Sequence, residues 1–210
     1  MQDASSPLPT MTVGGDGGPH NYGSWDLPKD FKLSPDAIVY SAGVGFDVTF
    51  DLELIRRWGC VVHAFDPGDE VRDYLATLAL PPEFRFQQVA LGTTDGRHAF
   101  IKSNNASYSV TASQAEDVDH LQTRTVATLM ADRGHLSIDL LKMDIEGFEY
   151  AVLDQMIESG LRPRCILVEF HHFQQKRREE TLKIVQRLKD AGYSNFWISD
   201  LGAEYGFILA

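Results

Sequence analysis

Positive charge is scarce in this sequence: 19 lysines and arginines stand against 30 aspartates and glutamates, a formal net charge of −11 over 210 residues. A phosphate backbone is held by clustered Lys and Arg that displace its counterions, so neither nucleic acid nor an anionic membrane is an expected partner. The densest basic run, QQKRREE from Gln174 to Glu180, turns acidic at its end and reads as the solvated start of a helix. Cysteine is nearly absent. The two present, Cys60 and Cys165, each open an apolar run, CVVHAF and CILVEF, where a free thiol serves as a small core residue. With no disulfide framework, no apolar run long enough to span a bilayer and no leader-like start, a reducing, cytoplasmic setting is expected. Large apolar residues are sparse from Met1 to His20, a stretch rich in Ser, Pro and Gly. Residues 1–20 are therefore expected to be a loose tail and residues 21–210 a single domain.

What is present from Ala37 onward is alternation. AIVYS precedes DVTFDLELIRRWG, where Val48, Leu52, Ile55 and Trp58 fall at helical spacing. CVVHAFD precedes DEVRDYLATLAL, and FRFQQVAL leads into a polar region with one further short strand, HAFIK. IDLLKMD then precedes FEYAVLDQMIESG, a helix that Gly160 and Pro163 bring to an end, and CILVEFH precedes REETLKIVQRLKDAG, closed by Gly192. The chain finishes with NFWIS and YGFILA, five residues apart, a gap that suits an antiparallel hairpin and is too short for a parallel crossover. The expected fold is α/β and Rossmann-like: a mostly parallel sheet with helices on both faces and an antiparallel last strand.

Ligands of such sheets bind beyond the carboxyl ends of the strands. The first such end carries Gly43 and Gly45; a nicotinamide fingerprint would place a third glycine where this chain has Val48. Asp66 lies 23 residues beyond Gly43, close to the ~20-residue interval at which an acid reaches the ribose of an adenosine cofactor. Pro67 keeps that acid extended at its strand end. In LLKMDIEGFEYAVL, Asp144 and Glu146 flank the passage from strand to helix, more carboxylate than a helix cap needs. Lys142 stands mid-strand in the same run, and a buried lysine calls for a carboxylate nearby. In VEFHHF, Glu169 and His171 share one strand face while His172 points away, an acid and imidazole suited to a general base or to a metal. His63 is read as an interior hydrogen-bonding histidine with no functional role.

Together these segments, VYSAGVGFD, FDLELI, AFDP, VALG, LLKMDIEGFEYAVL and ILVEFH, with NYGSW at Asn21 to Trp25, resemble the FkbM-type family of S-adenosylmethionine-dependent methyltransferases. The resemblance runs from about Tyr22 to Ala210 and is carried most by LLKMDIEGFE. It implies a class I methyltransferase fold, a seven-stranded sheet with an antiparallel last strand, and O-methylation of a sugar or natural-product hydroxyl. S-adenosylmethionine would lie against Ser41, Gly43, Gly45, Asp47, Asp66, Pro67, Ala90, Leu91 and Asp144, with Asp66 on its ribose, Val89 to Leu91 near its adenine and Asp144 beside the methyl donor. Many methyltransferases carry an acid where this chain has Ser41; its contact with the cofactor's methionine end passes here to backbone, Asp47 or water.

His171, then Glu146, are the candidate bases, with Asp144 and Glu169 beside them. A variant gathers Asp144, Glu169 and His171 around a divalent ion, which is not the favoured arrangement. Trp25, Ser107 and Tyr108 are candidates for holding a small-molecule or glycan acceptor. The competing readings are a non-catalytic methyltransferase-like scaffold and, disfavoured by Val48 and the final hairpin, a nicotinamide oxidoreductase.

Overall fold

The computed structural model describes residues 8–15, 17, 23–102, 108–110, 119–172 and 177–210, the segment 108–110 by its backbone. The chain runs β1 (Thr10–Val13), β2 (Trp25–Pro28), β3 (Ile38–Ala42), α1 (Thr49–Trp58), β4 (Val61–Asp66), α2 (Asp69–Leu75), β5 (Phe84–Gln88), β6 (Ala90–Leu91), β7 (Gly96–Lys102) and β8 (Tyr108–Val110). It continues through β9 (Asp119–Arg124), α3 (Val126–Arg133), β10 (Leu140–Met143), α4 (Glu149–Glu158), β11 (Cys165–Glu169), α5 (Arg178–Asp190), β12 (Tyr193–Ile198) and β13 (Glu204–Leu209). The central sheet has seven strands in the order β12-β13-β11-β10-β3-β4-β5. β11, β10, β3, β4 and β5 pair in parallel, and β13 runs antiparallel to both β11 and β12. This is the expected class I methyltransferase architecture, with the reversed final strand that the short β12–β13 connection dictates.

Period-two alternation along the strands feeds two cores. Val39, Val62, Ala64, Leu140 and Leu167 pack against Phe50, Leu54, Val71 and Leu75 of α1 and α2. Tyr40, Phe65, Leu141, Met143, Ile166 and Val168 face the other way, against residues of α3, α4 and α5. In α1 the buried face holds Phe50, Asp51, Leu54 and Ile55. The expected Leu52 and Trp58 sit at its partly buried margin, so the stripe is rotated and includes a carboxylate. Cys60 and Cys165 are free and fully buried, as expected, and burial pushes the Cys60 thiol up to about 11.

Two expectations are corrected. Thr10–Val13, inside the stretch expected to be a loose tail, form β1 and pair antiparallel with β2; Asp26 ties the two strands by accepting from the hydroxyls of Thr10 and Thr12, both at 2.7 Å. The run FRFQQVAL is not one strand. Its first part, β5, is an edge of the central sheet, whereas β6 joins a second sheet of order β6-β9-β7-β8. Alternating polar side chains in β7 and β9 conceal this sheet; among its described residues, Leu91 of β6 joins the second core, and Phe100 packs with Ala90, Leu121 and Phe148.

Candidate active site

The carboxyl ends of β3, β4 and β10 open into one cleft of about 700 Å³, counting its solvent-open mouth. Gly43, Gly45, Asp66, Pro67, Ala90, Leu91, Asp144 and Glu146 all line it, joined by Val89 and by apolar walls from Phe46, Phe65, Phe100 and Phe148. The two glycines have different duties. A Cβ on Gly43 would stand 1.6 Å from the Asp144 carbonyl oxygen, so glycine there lets β3 and β10 approach as they end. A Cβ on Gly45 would meet no atom within 4 Å, and φ is +55°, so this residue offers bare backbone to the cleft.

Asp66, 8 % exposed, holds the turns around it. Its Oδ2 accepts the Gly45 N–H at 3.1 Å and its Oδ1 the Gly68 N–H at 2.9 Å. Burial raises its pKa, against the pull of those two donors. Each carboxylate oxygen keeps acceptor capacity for a ligand hydroxyl.

Beyond the end of β10 the backbone of Glu146 takes φ +53°, the one non-glycine residue in the left-handed region among those described. Its Oε2 lies 3.4 Å from the Nε2 of His171, and the Oδ1 of Asp144 and Oε1 of Glu169 lie at 3.6 and 4.0 Å from the same nitrogen. The other side of the ring meets Glu149, a fully buried acid, whose Oε1 accepts the His171 backbone N–H at 2.9 Å and lies 3.4 Å from Nδ1. Its Oε2 accepts the Gly147 N–H at 2.8 Å. Burial opposes charge on His171, but Glu149, Asp144 and Glu169 outweigh it and push the pKa up. Glu169 is pushed up as well, first by burial and then by Asp144. The group therefore retains protons that an isolated imidazole and carboxylate would release. Asp144, Glu169 and His171 each bring one donor atom within 4.8 Å of the others, a set that could also hold a divalent ion.

Three sequence expectations move. Ser41 is wholly buried within the sheet and does not line the cleft. Asp47 turns away from it, its Oδ1 accepting the N–H and hydroxyl of Thr49 at 2.8 and 2.6 Å where α1 begins. Trp25, 6 % exposed, is packed between Phe50 and Trp197 and does not line the cleft, contrary to the expectation that it holds an acceptor, since β2 delivers it to the core. Ser107 and the side chain of Tyr108 lie outside the described residues. Sequence reasoning missed Glu149. An acid on the apolar face of EYAVL, two residues past Gly147, was the available signal.

A family model described as Methyltransferase FkbM domain matches residues 36–194. The chain belongs to the FkbM methyltransferase domain family. The match takes in β3 through α5 and the first two residues of β12, and with them every strand end that meets the cleft. A curated human relative, probable methyltransferase-like protein 24, is 28 % identical over 120 residues, which is 57 % of this chain and 28 % of that protein. The chain thus spans under a third of the length of that relative. Among solved structures, the methyltransferase FkbM from Methylobacillus flagellatus KT superposes with a TM-score of 0.55 at 14 % identity, covering 85 % of this chain and 45 % of that one. That likeness speaks to the fold.

Proposed function

We propose that this FkbM-family protein binds S-adenosylmethionine in the cleft and transfers its methyl group to a hydroxyl of a sugar or natural-product small molecule. The observation that carries this reading is the convergence of the bare Gly45 backbone, Asp66 and Asp144 on one cleft with an apolar wall of Pro67, Val89, Ala90 and Leu91. A nucleoside fits that division: an acid with spare acceptor capacity for ribose hydroxyls, apolar surfaces for the base, and an anion near the cationic end. When bound, the cofactor supplies an already activated methyl group on a sulfonium.

The protein's own contribution is to hold and to accept a proton. Gly45 and Asp66 fix the nucleoside end, and Asp144, next to Gly43 at the end of β10, supplies the anion near the cationic end. An acceptor hydroxyl entering beside Glu146 meets its carboxylate, and the proton passes through it to His171 and Glu169, which lie behind the cleft lining, as the oxygen is alkylated. Because His171 and Glu169 retain protons, they serve as a base after losing one, which places the working form on the alkaline side of an ordinary imidazole.

Calorimetry with S-adenosylhomocysteine and with NAD tests the reading. Binding of the first alone supports it; binding of neither supports a scaffold, and binding of NAD alone overturns it. Incubation with labelled methyl donor and a library of hydroxylated small molecules and sugars then identifies the acceptor class by a product heavier by one methyl group.

A further inference from the structure

Lys142 is a cation in the middle of the central sheet. It lies in β10 directly across from Ser41 of β3 in the parallel register, and it is 7 % exposed. Its Nζ donates to the Gly43 carbonyl at 2.6 Å, with the Ala42 carbonyl at 3.5 Å, and stands 5.7 Å from the centroid of the Trp25 ring. Asp51 of α1 is 3 % exposed; burial raises its pKa to about 6, and the Lys142 charge pulls against that shift. Asp51 Oδ1 and the neighbouring Ser41 Oγ are buried without a hydrogen-bond partner. An apolar sheet would be more stable without a cation, an acid and a hydroxyl so arranged. Their position under the glycine turn gives the arrangement a use.

The turn is held at three points. The Gly43 N–H donates to the Phe65 carbonyl at 2.8 Å, the Gly45 N–H donates to Asp66 at 3.1 Å, and the Gly43 carbonyl accepts from Lys142. Two of these points belong to β4 on one side of β3 and one to β10 on the other. We infer that Lys142, with Asp51 as its buried counter-charge, is a positioning residue for cofactor binding: it draws the Gly43 carbonyl down into the sheet and so keeps the open side of Gly45 turned to the cleft. This rests on the reading of the cleft as a cofactor site. Without the ammonium the carbonyl has no buried donor, and the turn must rotate to find water, taking Gly45 with it.

The test separates positioning from mere support of the fold. Lys142→Met leaves Asp51 buried and unpaired, so this variant should lose stability as well as S-adenosylhomocysteine affinity. Lys142→Met/Asp51→Leu replaces the charged pair with apolar side chains and should regain a wild-type melting temperature. Its affinity should remain about 10- to 100-fold below wild type, because the Gly43 carbonyl still lacks its donor. Hydrogen exchange of the Val44–Asp47 amides, read without ligand, should be faster in the stable double variant while the amides of β4 and β11 keep their protection. Wild-type affinity in the double variant, or unchanged exchange at the turn, would overturn the inference. If wild-type protein does not bind S-adenosylhomocysteine, the cofactor reading fails. Exchange at the turn then decides alone whether Lys142 holds it.

Discussion

Glu149 and His171 are joined twice: one carboxylate oxygen accepts the histidine's backbone N–H at 2.9 Å and faces its ring Nδ1 at 3.4 Å. The acid is fully buried at the start of α4, and the histidine follows the end of β11. The pair thus couples the ring's orientation and its charge to the core. Replacing Glu149 with Gln removes the negative charge while keeping the shape, so the His171 pKa should fall towards the ordinary imidazole value of about 6.5. Titration of the ring by NMR checks this; an unmoved titration would show that Asp144 and Glu169 govern the charge instead.

The rate of methyl transfer should rise as pH climbs above the ordinary imidazole range. Both Glu169 and His171 are shifted upwards, so the proton-accepting form accumulates late. A pH–rate profile with saturating cofactor measures it, and His171→Ala should lower turnover by about 10²- to 10⁴-fold while retaining S-adenosylhomocysteine affinity. A plateau already reached near pH 6 would remove the shared group as the base.

A chelator should leave activity intact. The His171 ring, favoured in its cationic form by three carboxylates, already balances the charge that a divalent ion would otherwise balance. Inactivation by chelator with recovery on adding a divalent ion would convert Asp144, Glu169 and His171 into metal ligands.

Asp66→Ala should weaken S-adenosylhomocysteine binding by about 1–3 kcal/mol. It should also speed amide exchange at Gly45 and Gly68, because the same carboxylate accepts both N–H groups. Isothermal calorimetry and hydrogen exchange on the folded variant test the two effects separately.

His63 is 4 % exposed, packed against His135 and Tyr40, and its pKa is lowered to about 4, first by burial and then by His135, Arg133 and Arg85. The unfolded chain takes up a proton near pH 6.5 that the folded one refuses. Stability contributed by neutral His63 is therefore complete above pH 6.5 and lost as pH falls towards 4, by up to about 3 kcal/mol. Thermal melts of wild type and His63→Gln across pH 7 to 5 should converge on acidification; parallel curves would contradict the assignment.

The parallel strands were legible because each is a short apolar run bounded by a turn signal, and so was the terminal hairpin, because five residues admit no crossover. The small second sheet was not, since β7 and β9 are largely solvated and carry no apolar period. Along the cleft, the glycines and Asp66 could be read from spacing, because a strand end projects its last residues to one place. Ser41, Asp47 and Trp25 could not: whether a residue beside a strand end faces a ligand or the core depends on neighbours brought by other elements. Glu149 was hidden for a related reason. A buried acid becomes intelligible only once its partner, 22 residues away, is seen across it.

The backbone of Glu146 sets a limit on how far this protein can be made more robust. A glycine at that position would adopt φ +53° without steric cost, and substitution there belongs to the ordinary routes to a higher melting temperature. It would also delete a carboxylate 3.4 Å from His171. Under the proposed proton transfer, selection for durability and selection for turnover pull this one residue in opposite directions, and a glycine at position 146 would mark a descendant that exchanged part of the proposed base for a more durable fold.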